Sequence, residues 1–314
     1  MGIPYYLQII IGFVALLGSG HFLVKGGVCL AKRFKISTLV VGLTIVSLGT
    51  SAPELFVSLS AALKGHPDIA LGNVIGSNIS NIGLVLGLSS LILPIAVRSS
   101  SVKFDWPVMM FSGVLLFLFG LDGKLSRLEG FIFTSLLAAF IVFLIVRSRK
   151  ANMKSRTVRE IYKFSLPGAI AIVLASSVGL MLGASLLVEG ATELAKSFNV
   201  SERAISISMI AIGTSLPELA TSVVAALRKE TDISIGNIIG SNIYNTFGIL
   251  GITSLVEPIK INLDLLGYDM LWMLGFFLLL FIFILPFKGG TIYRYKGFIF
   301  LVLYIIFIYF VFVQ

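Results

Sequence analysis

Two glutamates in matching surroundings are the residues of this sequence best suited to chemistry. Glu54 ends the motif Gly49-Thr-Ser-Ala-Pro-Glu54, and Glu218 ends the motif Gly213-Thr-Ser-Leu-Pro-Glu218. Each motif lies within a long apolar segment, where an ionised carboxylate costs roughly 3 kcal/mol and therefore usually faces a cavity or a bound partner. Two related carboxylates of this kind predict one shared site for cations.

The composition explains why these motifs lie in apolar surroundings. The 314 residues are 57% hydrophobic and 12% charged, with a mean hydropathy of +1.02, which is far from the average of a soluble domain. Apolar runs of about 20 residues are long enough to cross the hydrocarbon core of a bilayer. The sequence therefore predicts an all-α polytopic membrane protein. Its ten predicted spans are residues 4–30, 37–64, 68–94, 104–121, 128–146, 165–194, 201–227, 232–256, 268–286 and 296–314.

The two halves of the chain align without a gap at a constant separation of 164 residues. The matched segments are Leu23-Val-Lys-Gly with Leu187-Val-Glu-Gly, the two glutamate motifs, and Gly72-Asn-Val-Ile-Gly-Ser-Asn-Ile-Ser-Asn81 with Gly236-Asn-Ile-Ile-Gly-Ser-Asn-Ile-Tyr-Asn245. Each half holds five spans, an odd number, so the second half must enter the membrane from the opposite side. Inverted repeats are a recurrent transporter design with the substrate site at their interface.

This repeat gives the predicted domain organisation. We expect a first five-helix repeat at 1–146, a basic cytoplasmic linker at 147–164 and a second, inverted repeat at 165–314, which together form one membrane domain. The linker carries the strongest cluster of basic residues, seven of the 24 in the chain, and we interpret it as a topology anchor, with lipid-headgroup binding as the alternative. We expect the first apolar run to be retained, because it lacks the basic region and cleavage site of a secretory signal.

The distribution of basic residues predicts the orientation of the chain. The net charge is +9, and most Lys and Arg residues fall in one set of alternate loops, which the positive-inside rule places in the cytoplasm. Both termini are then extracytoplasmic in a multi-pass protein of the cell membrane. Because the basic residues are interleaved with spans, we expect no nucleic-acid partner. We also expect no obligatory protein partner. The single cysteine, Cys29, excludes a disulfide within the chain.

Both glutamate motifs predict a break in the helix that carries them. Pro53 cannot continue an existing helical hydrogen-bond ladder but fits the first turn of a new helix, so helices 2 and 7 are predicted to be broken. Ser51 and Ser215 stand three residues before their glutamates, which is the spacing of a capping box. The alternative is a capped, kinked helix with a neutral glutamate. Broken backbone at membrane depth is tolerated only inside protein or beside an aqueous cavity.

Many uncharged oxygen atoms accompany the carboxylates. The ends of the broken helices offer carbonyls from Ser47 to Thr50 and from Ala211 to Thr214, at the negative end of each helix dipole. The following span of each half carries a polar stripe, which either faces the carboxylates or forms hydrogen bonds between helices. The members of the stripe are Asn73, Ser77, Asn78 and Asn81, and Asn237, Ser241, Asn242 and Asn245.

Ligands of this type favour hard cations. Carboxylates, carbonyls and hydroxyls provide the six to eight flexible oxygens that Ca2+ prefers, whereas transition metals favour imidazole or thiolate. Two carboxylates balance one Ca2+ or two monovalent cations, so competition for the same pair gives a basis for exchange. No Ser-His or paired-Asp hydrolytic constellation is visible in the spans, so we expect no enzyme and no cofactor. We assign no role to His21 or His66.

With these motifs, the chain resembles the cation/Ca2+ exchanger superfamily, specifically its prokaryotic Na+/Ca2+ exchanger branch, over essentially its whole length. The resemblance implies ten helices, four central ion sites and exchange of several Na+ for one Ca2+ as the first and sixth helices slide. It implies that Glu54 and Glu218 bind Ca2+ together with the carbonyls of Thr50 and Thr214. The Na+ sites that it implies add Ser47, Ser51, Ser77, Ala211, Ser215 and Ser241.

One position departs from part of that superfamily. The residue matching Asn245 is Asp in some members, including K+-dependent exchangers, so Asn81 and Asn245 leave only two central carboxylates here. The expected function is Na+/Ca2+ antiport by alternating access. The alternatives are a H+/Ca2+ exchanger, because both glutamates can be protonated, and a passive cation channel, because pores also replace hydration shells with carbonyls. The expected partners are Na+, Ca2+ and the lipid bilayer.

Overall fold

The structure, a computed structural model, describes residues 3–152, 164–198, 213–261, 263–285 and 289–313. These ranges are almost entirely helical. The helices are α1 (Tyr5–Phe34), α2 (Thr38–Thr50), α3 (Ala52–Leu63), α4 (Pro67–Ile92), α5 (Ser101–Gly120), α6 (Arg127–Asn152), α7 (Leu166–Ser197), α8 (Leu216–Leu227), α9 (Thr231–Ile243, Tyr244–Leu250 and Gly251–Val256, continuous), α10 (Leu263–Ile284) and α11 (Arg294–Val313). The strands are β1 (Ile95–Arg98), β2 (Lys124–Leu125), β3 (Ile259–Lys260) and β4 (Gly289–Ile292).

Several of these helices are long and apolar enough to cross a membrane. In the described ranges there are seven such helices, namely α1, α4, α5, α6, α7, α10 and α11, and α2 with α3 forms an eighth candidate if that bent pair is one span. The predicted polytopic membrane class is therefore confirmed, with a mostly helical fold that adds four short strands to the all-α architecture that was predicted. Residues 201–212 of the predicted span at 201–227 lie outside the described residues. The structure describes the rest of this span, namely residues 213–215 and helix α8.

The predicted break in the second span is present. Helix α2 ends at Thr50, α3 begins at Ala52, and their axes differ by 48°. Pro53 lies in the first turn of α3, where its missing N–H leaves no hydrogen bond unmade. In the second half, α8 begins at Leu216 with Pro217 in its first turn. The matching break is predicted at residues 213–215, directly before this helix, but the half-helix that would precede the break lies outside the described part.

Two polar helices, α4 and α9, form the centre of the molecule. In the apolar stretch of α4, 78% of the residues are buried, against 22–33% of the residues in the corresponding stretches of the other long apolar helices. Helix α9 is buried almost throughout from Ile233 to Gly251. The outer helices expose large apolar side chains such as Val14, Leu174 and Leu271, which suits a surface in contact with lipid. The amides and hydroxyls of the sequence therefore concentrate in the interior.

Short strands tie the loops of the two halves together. Strand β1 pairs antiparallel with β4, and β2 pairs antiparallel with β3. Counted along the chain, β1 and β4 belong to the set of alternate loops that is rich in basic residues, and β2 and β3 belong to the other set. Each pairing therefore joins two loops that were predicted to lie on the same side of the membrane.

Helices α1 and α7 pack along their length at glycine positions. A Cβ atom added to Gly12 would lie 2.6 Å from the backbone nitrogen of Leu187, and one added to Gly183 would lie 3.0 Å from that of Leu16. These distances are shorter than a side chain tolerates, so the two backbones approach each other directly. Small residues permit this kind of packing between membrane helices.

We predict that Gly12→Val lowers the thermal stability of the purified protein in detergent. The valine would force α1 and α7 apart, and such overpacking costs about 1–3 kcal/mol. Gly18→Val is the matched control on the same helix, because a Cβ there has no described atom within 4 Å. Equal losses in thermal unfolding temperature for both variants would contradict the packing described.

Candidate cation site

The two motif glutamates lie at the centre of the molecule. Glu54, in the first turn of α3, is 1% exposed, and Glu218, in the first turn of α8, is 0% exposed. Their carboxyl groups are close enough to interact with one another. Within the described ranges, neither carboxylate forms an ion pair with Lys or Arg. Two buried carboxylates without a basic partner repel each other and need positive charge from elsewhere.

Hydrogen bonds link the first motif to the second glutamate. The Ser51 hydroxyl donates to Glu218 Oε1 at 2.7 Å and lies 3.1 Å from Ser241 Oγ. The Ser241 hydroxyl in turn lies 3.4 Å from the same Glu218 oxygen. The carboxylate of one half is thus held by hydroxyls from α9 and from the break between α2 and α3.

The predicted capping boxes are wrong. Neither Ser51 nor Ser215 makes a side-chain hydrogen bond to the start of its own helix. The physical reason is visible for Ser51, whose hydroxyl is engaged by Glu218 across the repeat interface. A charge-assisted hydrogen bond to a buried carboxylate is stronger than a bond to a neutral backbone N–H. The Ser-x-x-Glu spacing is present, but the Ser51 hydroxyl of the first half donates to a carboxylate of the second half.

Several buried polar atoms around the glutamates have no hydrogen-bond partner in the described part of the chain. A buried oxygen without a donor costs about 1–3 kcal/mol, so groups of such atoms are unusual in a structural core. Oxygens with free lone pairs are what a cation coordinates. The atoms near the motifs are Glu54 Oε2, Glu218 Oε2, Ser215 Oγ, Asn245 Oδ1 and both polar atoms of the Asn81 side chain.

The polar stripe divides into structural and free members. Asn73 donates to Ser58 at 2.9 Å, and its counterpart Asn237 donates to Ser222 at 3.0 Å. These matched bonds fasten α4 to α3 and α9 to α8, which is the interhelical alternative considered for the stripe. Asn245 differs, because its amide donates to Asn78 Oδ1 at 3.1 Å while its own oxygen has no described partner.

Both central asparagines lie where a helix widens. Asn81 begins the π-helical segment Asn81–Leu86, and Asn245 lies in the π-helical segment Tyr244–Leu250. Short π-helical segments within α-helices frequently occur at functional sites, because the widened turn redirects side chains. The sequence pattern gave no signal for this widening, although both segments lie at matched positions.

Other residues of the predicted site have definite positions. Thr50 is fully buried at the end of α2, and its hydroxyl lies 3.1 Å from Asn237 Oδ1. Ser77 Oγ lies 3.4 Å from Thr214 Oγ1, which joins α4 to the second motif. The hydroxyl of Ser47 donates to the carbonyl of Thr44, so it is occupied within α2. Ala211 lies outside the described residues.

The arrangement suits oxygen coordination of a hard cation. In the described ranges no group of three or more His, Cys, Asp or Glu side chains comes together. The ligands on offer are two carboxylates with surrounding hydroxyl and amide oxygens, and the end of α2 adds the negative pole of its dipole. Such a mixed set fits Ca2+ or Na+ better than a transition metal.

One matched pair of acidic residues lies outside the predicted set. Asp105 in α5 and Asp269 in α10 are separated by the same 164 residues as the two motifs, and each is followed four residues later by a methionine, Met109 or Met273. The constant offset between the halves was the signal that could have found them. Neither aspartate hydrogen-bonds to the central glutamates.

The chain is similar to known proteins over most of its length. A family model described as "Sodium/calcium exchanger protein" matches residues 4–146 and 168–313. The putative antiporter CaxA of Alkalimonas amylolytica is 39% identical over 83% of both chains, and the sodium/calcium exchanger MaX1 of Methanosarcina acetivorans is 31% identical over 96% of this chain and 97% of its own. The solved structure of the sodium-calcium exchanger NCX_Mj, soaked with Na+ and Ca2+, superposes with a TM-score of 0.82 at 31% identity, covering 98% of each chain.

We predict that Ser51→Ala destabilises the protein more than Ser215→Ala. The first change removes the donor to the buried Glu218 carboxylate, which costs about 1–3 kcal/mol, whereas the Ser215 hydroxyl has no partner in the described part to lose. Thermal unfolding of both variants in ion-free buffer measures the difference. If the two variants lose the same stability, the hydrogen bond from Ser51 does not contribute as described.

Proposed function

Because the chain belongs to the sodium/calcium exchanger family, we propose that it exchanges Na+ for Ca2+ across the membrane by alternating access. The observation that carries the proposal is the buried pair of Glu54 and Glu218, one from each half, with free oxygens and no basic partner among the described residues. This family consists of membrane transporters and not of enzymes. The exchanged ions are its substrates, and it needs no further cofactor.

Charge balance explains why the two ions exclude each other. One Ca2+ neutralises both carboxylates, and two Na+ ions do the same, whereas Ca2+ and Na+ together leave excess positive charge in a buried site. Glu54 and Glu218 are proposed as the shared ligands, with the carbonyls of Thr50 and Thr214. The further proposed ligands are Ser47, Ser51, Ser77, Ala211, Ser215, Ser241, Asn81 and Asn245.

We also propose ten spanning helices in two inverted five-helix repeats, at 1–146 and 165–314, joined by the basic linker at 147–164. Matched features at the 164-residue offset support this organisation. They include the hydrogen bonds of Asn73 and Asn237 to matched serines and the two π-helical segments. The family model also matches the chain in two parts, one for each half.

The distribution of basic residues supports the orientation that we propose, and the strand pairs support the grouping of loops by side. The chain is a multi-pass membrane protein, and we place it in the cell membrane with both termini extracytoplasmic. The loops that carry β1 and β4 are then cytoplasmic, and the loops that carry β2 and β3 are extracytoplasmic. Each strand pair joins two loops of the same set, as the predicted alternation of loops requires. No partner protein is required for the ion site, since both halves belong to one chain.

Two rival functions use the same oxygens. A H+/Ca2+ exchanger would protonate Glu54 and Glu218 when Ca2+ leaves, and a channel would let cations pass without exchange. The abundance of neutral hydroxyl and amide oxygens around the carboxylates favours Na+, because a proton needs only the carboxylates themselves. Complete burial of both glutamates favours a transporter over a continuously open pore.

We predict that proteoliposomes loaded with Na+ take up 45Ca2+ only when the Na+ gradient is present. Exchange at shared carboxylates couples the two fluxes, so uptake should stop when internal Na+ is replaced by choline. Uptake that follows a proton gradient and ignores Na+ would establish the H+/Ca2+ exchanger. Uptake without any ion on the opposite side would establish the channel.

Removing either carboxylate charge should abolish this exchange. We predict that Glu54→Gln and Glu218→Gln each lower Na+-dependent Ca2+ uptake at least 100-fold, because a single carboxylate leaves Ca2+ uncompensated in a buried site. Glu193→Gln is the control, since that side chain is exposed and pairs with Lys196 on the surface. Persistent uptake after both central substitutions together would rule out the site.

A further inference from the structure

A cavity beside the proposed ion site contains a carboxylate of its own. The cavity measures about 290 Å3, which is large enough for a hydrated cation. Two of its described lining residues, Ser77 and Thr214, belong to the proposed ion site, and a third, Asp269, is acidic. Its remaining walls are mainly small or apolar side chains of α4 and α11.

Asp269 and Ser77 lie at different distances from the starts of their helices, and therefore at different depths along the cavity. Asp269 stands six residues after the start of α10, or about 9 Å, and Ser77 stands ten residues after the start of α4, or about 15 Å, at 1.5 Å per residue. Strand β3, just before α10, contacts the helix that begins at Pro67, so the two starts lie at one end of the molecule. An ion coming from that end would meet Asp269 before Ser77.

The carboxylate charge of Asp269 is not balanced by a basic side chain of the described residues. The described residues offer it no ion pair or hydrogen bond, and it is only partly buried. Its counterpart in the first half, Asp105, is 1% exposed and lies near Ser101 and within electrostatic reach of Arg147. The residue that matches Arg147 at the 164-residue offset is Val311, which lines the cavity together with Asp269.

The two matched aspartates therefore lie in different environments. In the first half it is buried within electrostatic reach of an arginine, although the two side chains form no ion pair. In the second half the arginine is replaced by an apolar residue, and the aspartate faces a cavity that leads to the ion site. A carboxylate in a low-dielectric cleft focuses the electric field and raises the local concentration of cations.

We propose that Asp269 forms an accessory cation-binding site in the extracytoplasmic access path, which holds a hydrated cation, Ca2+ in preference to Na+, before it reaches Glu54 and Glu218. The preference follows from charge, since a divalent ion is attracted twice as strongly as a monovalent ion. This site rests on the proposed exchange function and adds to it a side-specific step. It does not contribute to the binding of the ion between the two glutamates.

The test is the Ca2+ dependence of exchange measured separately from each side of oriented membrane vesicles. Asp269→Asn should raise the apparent KM for extracytoplasmic Ca2+ about three- to tenfold at low ionic strength, with an unchanged maximal rate and an unchanged cytoplasmic KM. Asp269→Glu should restore the wild-type KM. Added choline chloride should reduce the difference between variant and wild type, because salt screens the attraction.

Two further variants separate the site from general surface charge. Asp68→Asn removes one negative charge from an exposed position at the start of α4, outside the lining of the cavity, and should leave the KM unchanged. Val311→Arg places a cation in the cavity beside Asp269, at the position that matches Arg147 in the first half, and should raise the extracytoplasmic KM at least as much as Asp269→Asn. A parallel rise with Asp68→Asn would overturn the proposal.

The remaining outcomes are equally decisive. An unchanged extracytoplasmic KM in Asp269→Asn, an equal change on both sides, or a change confined to the cytoplasmic side would each overturn the accessory site while wild-type exchange continued. Loss of exchange in the wild type, or its persistence without Glu54 and Glu218, would instead contradict the proposed function. The failure of one proposal is thus distinguishable from the failure of the other.

Discussion

The burial of two carboxylates beside each other is the constraint on which the rest of this structure depends. Glu54 and Glu218 are removed from solvent without a basic partner among the described residues, an arrangement that costs several kcal/mol for each ionised group. Polar helices must therefore occupy the centre of the bundle, and apolar helices must enclose them. The amides and hydroxyls of α4 and α9 are buried because they serve or surround this pair.

The repeat interface provides the geometry for that pair. Each half contributes one glutamate at the start of a helix, and hydrogen bonds cross between the halves, from Ser51 to Glu218 and from Asn245 to Asn78. Neither half alone brings two carboxylates together. A duplicated sequence in one chain thus gives a site in which each copy completes the other, and the strand pairs β1–β4 and β2–β3 fasten the copies at both ends.

The structural equivalence of the halves is incomplete, and the differences lie beside the ion site. Ser51 is engaged by Glu218, whereas its counterpart Ser215 has no partner in the described ranges. Asp105 is enclosed near Arg147, whereas Asp269 faces a cavity beside Val311. Under the proposed exchange function the two access paths must differ at any moment, because a site open to both sides would leak.

The sequence by itself determined the membrane class, the broken second span, the duplicated motifs and the two central glutamates. Those features are local or periodic: apolar length, proline position and a constant offset are visible without any fold. It also indicated the polar stripe, but could not separate Asn73, which fastens helices, from Asn81, whose polar atoms have no partner in the described part.

Only the tertiary structure decided which partner each polar group takes. The spacing of Ser51 and Glu54 predicted a local cap, but the hydroxyl donates to a carboxylate 167 residues away, because a buried charge outcompetes a backbone N–H. The widening of α4 and α9 at the central asparagines likewise had no sequence signal. The same holds for Asp269, whose type and offset were visible but whose cavity arises where α4 packs near Thr214 and the last two helices, α10 and α11, which are far from both in the chain.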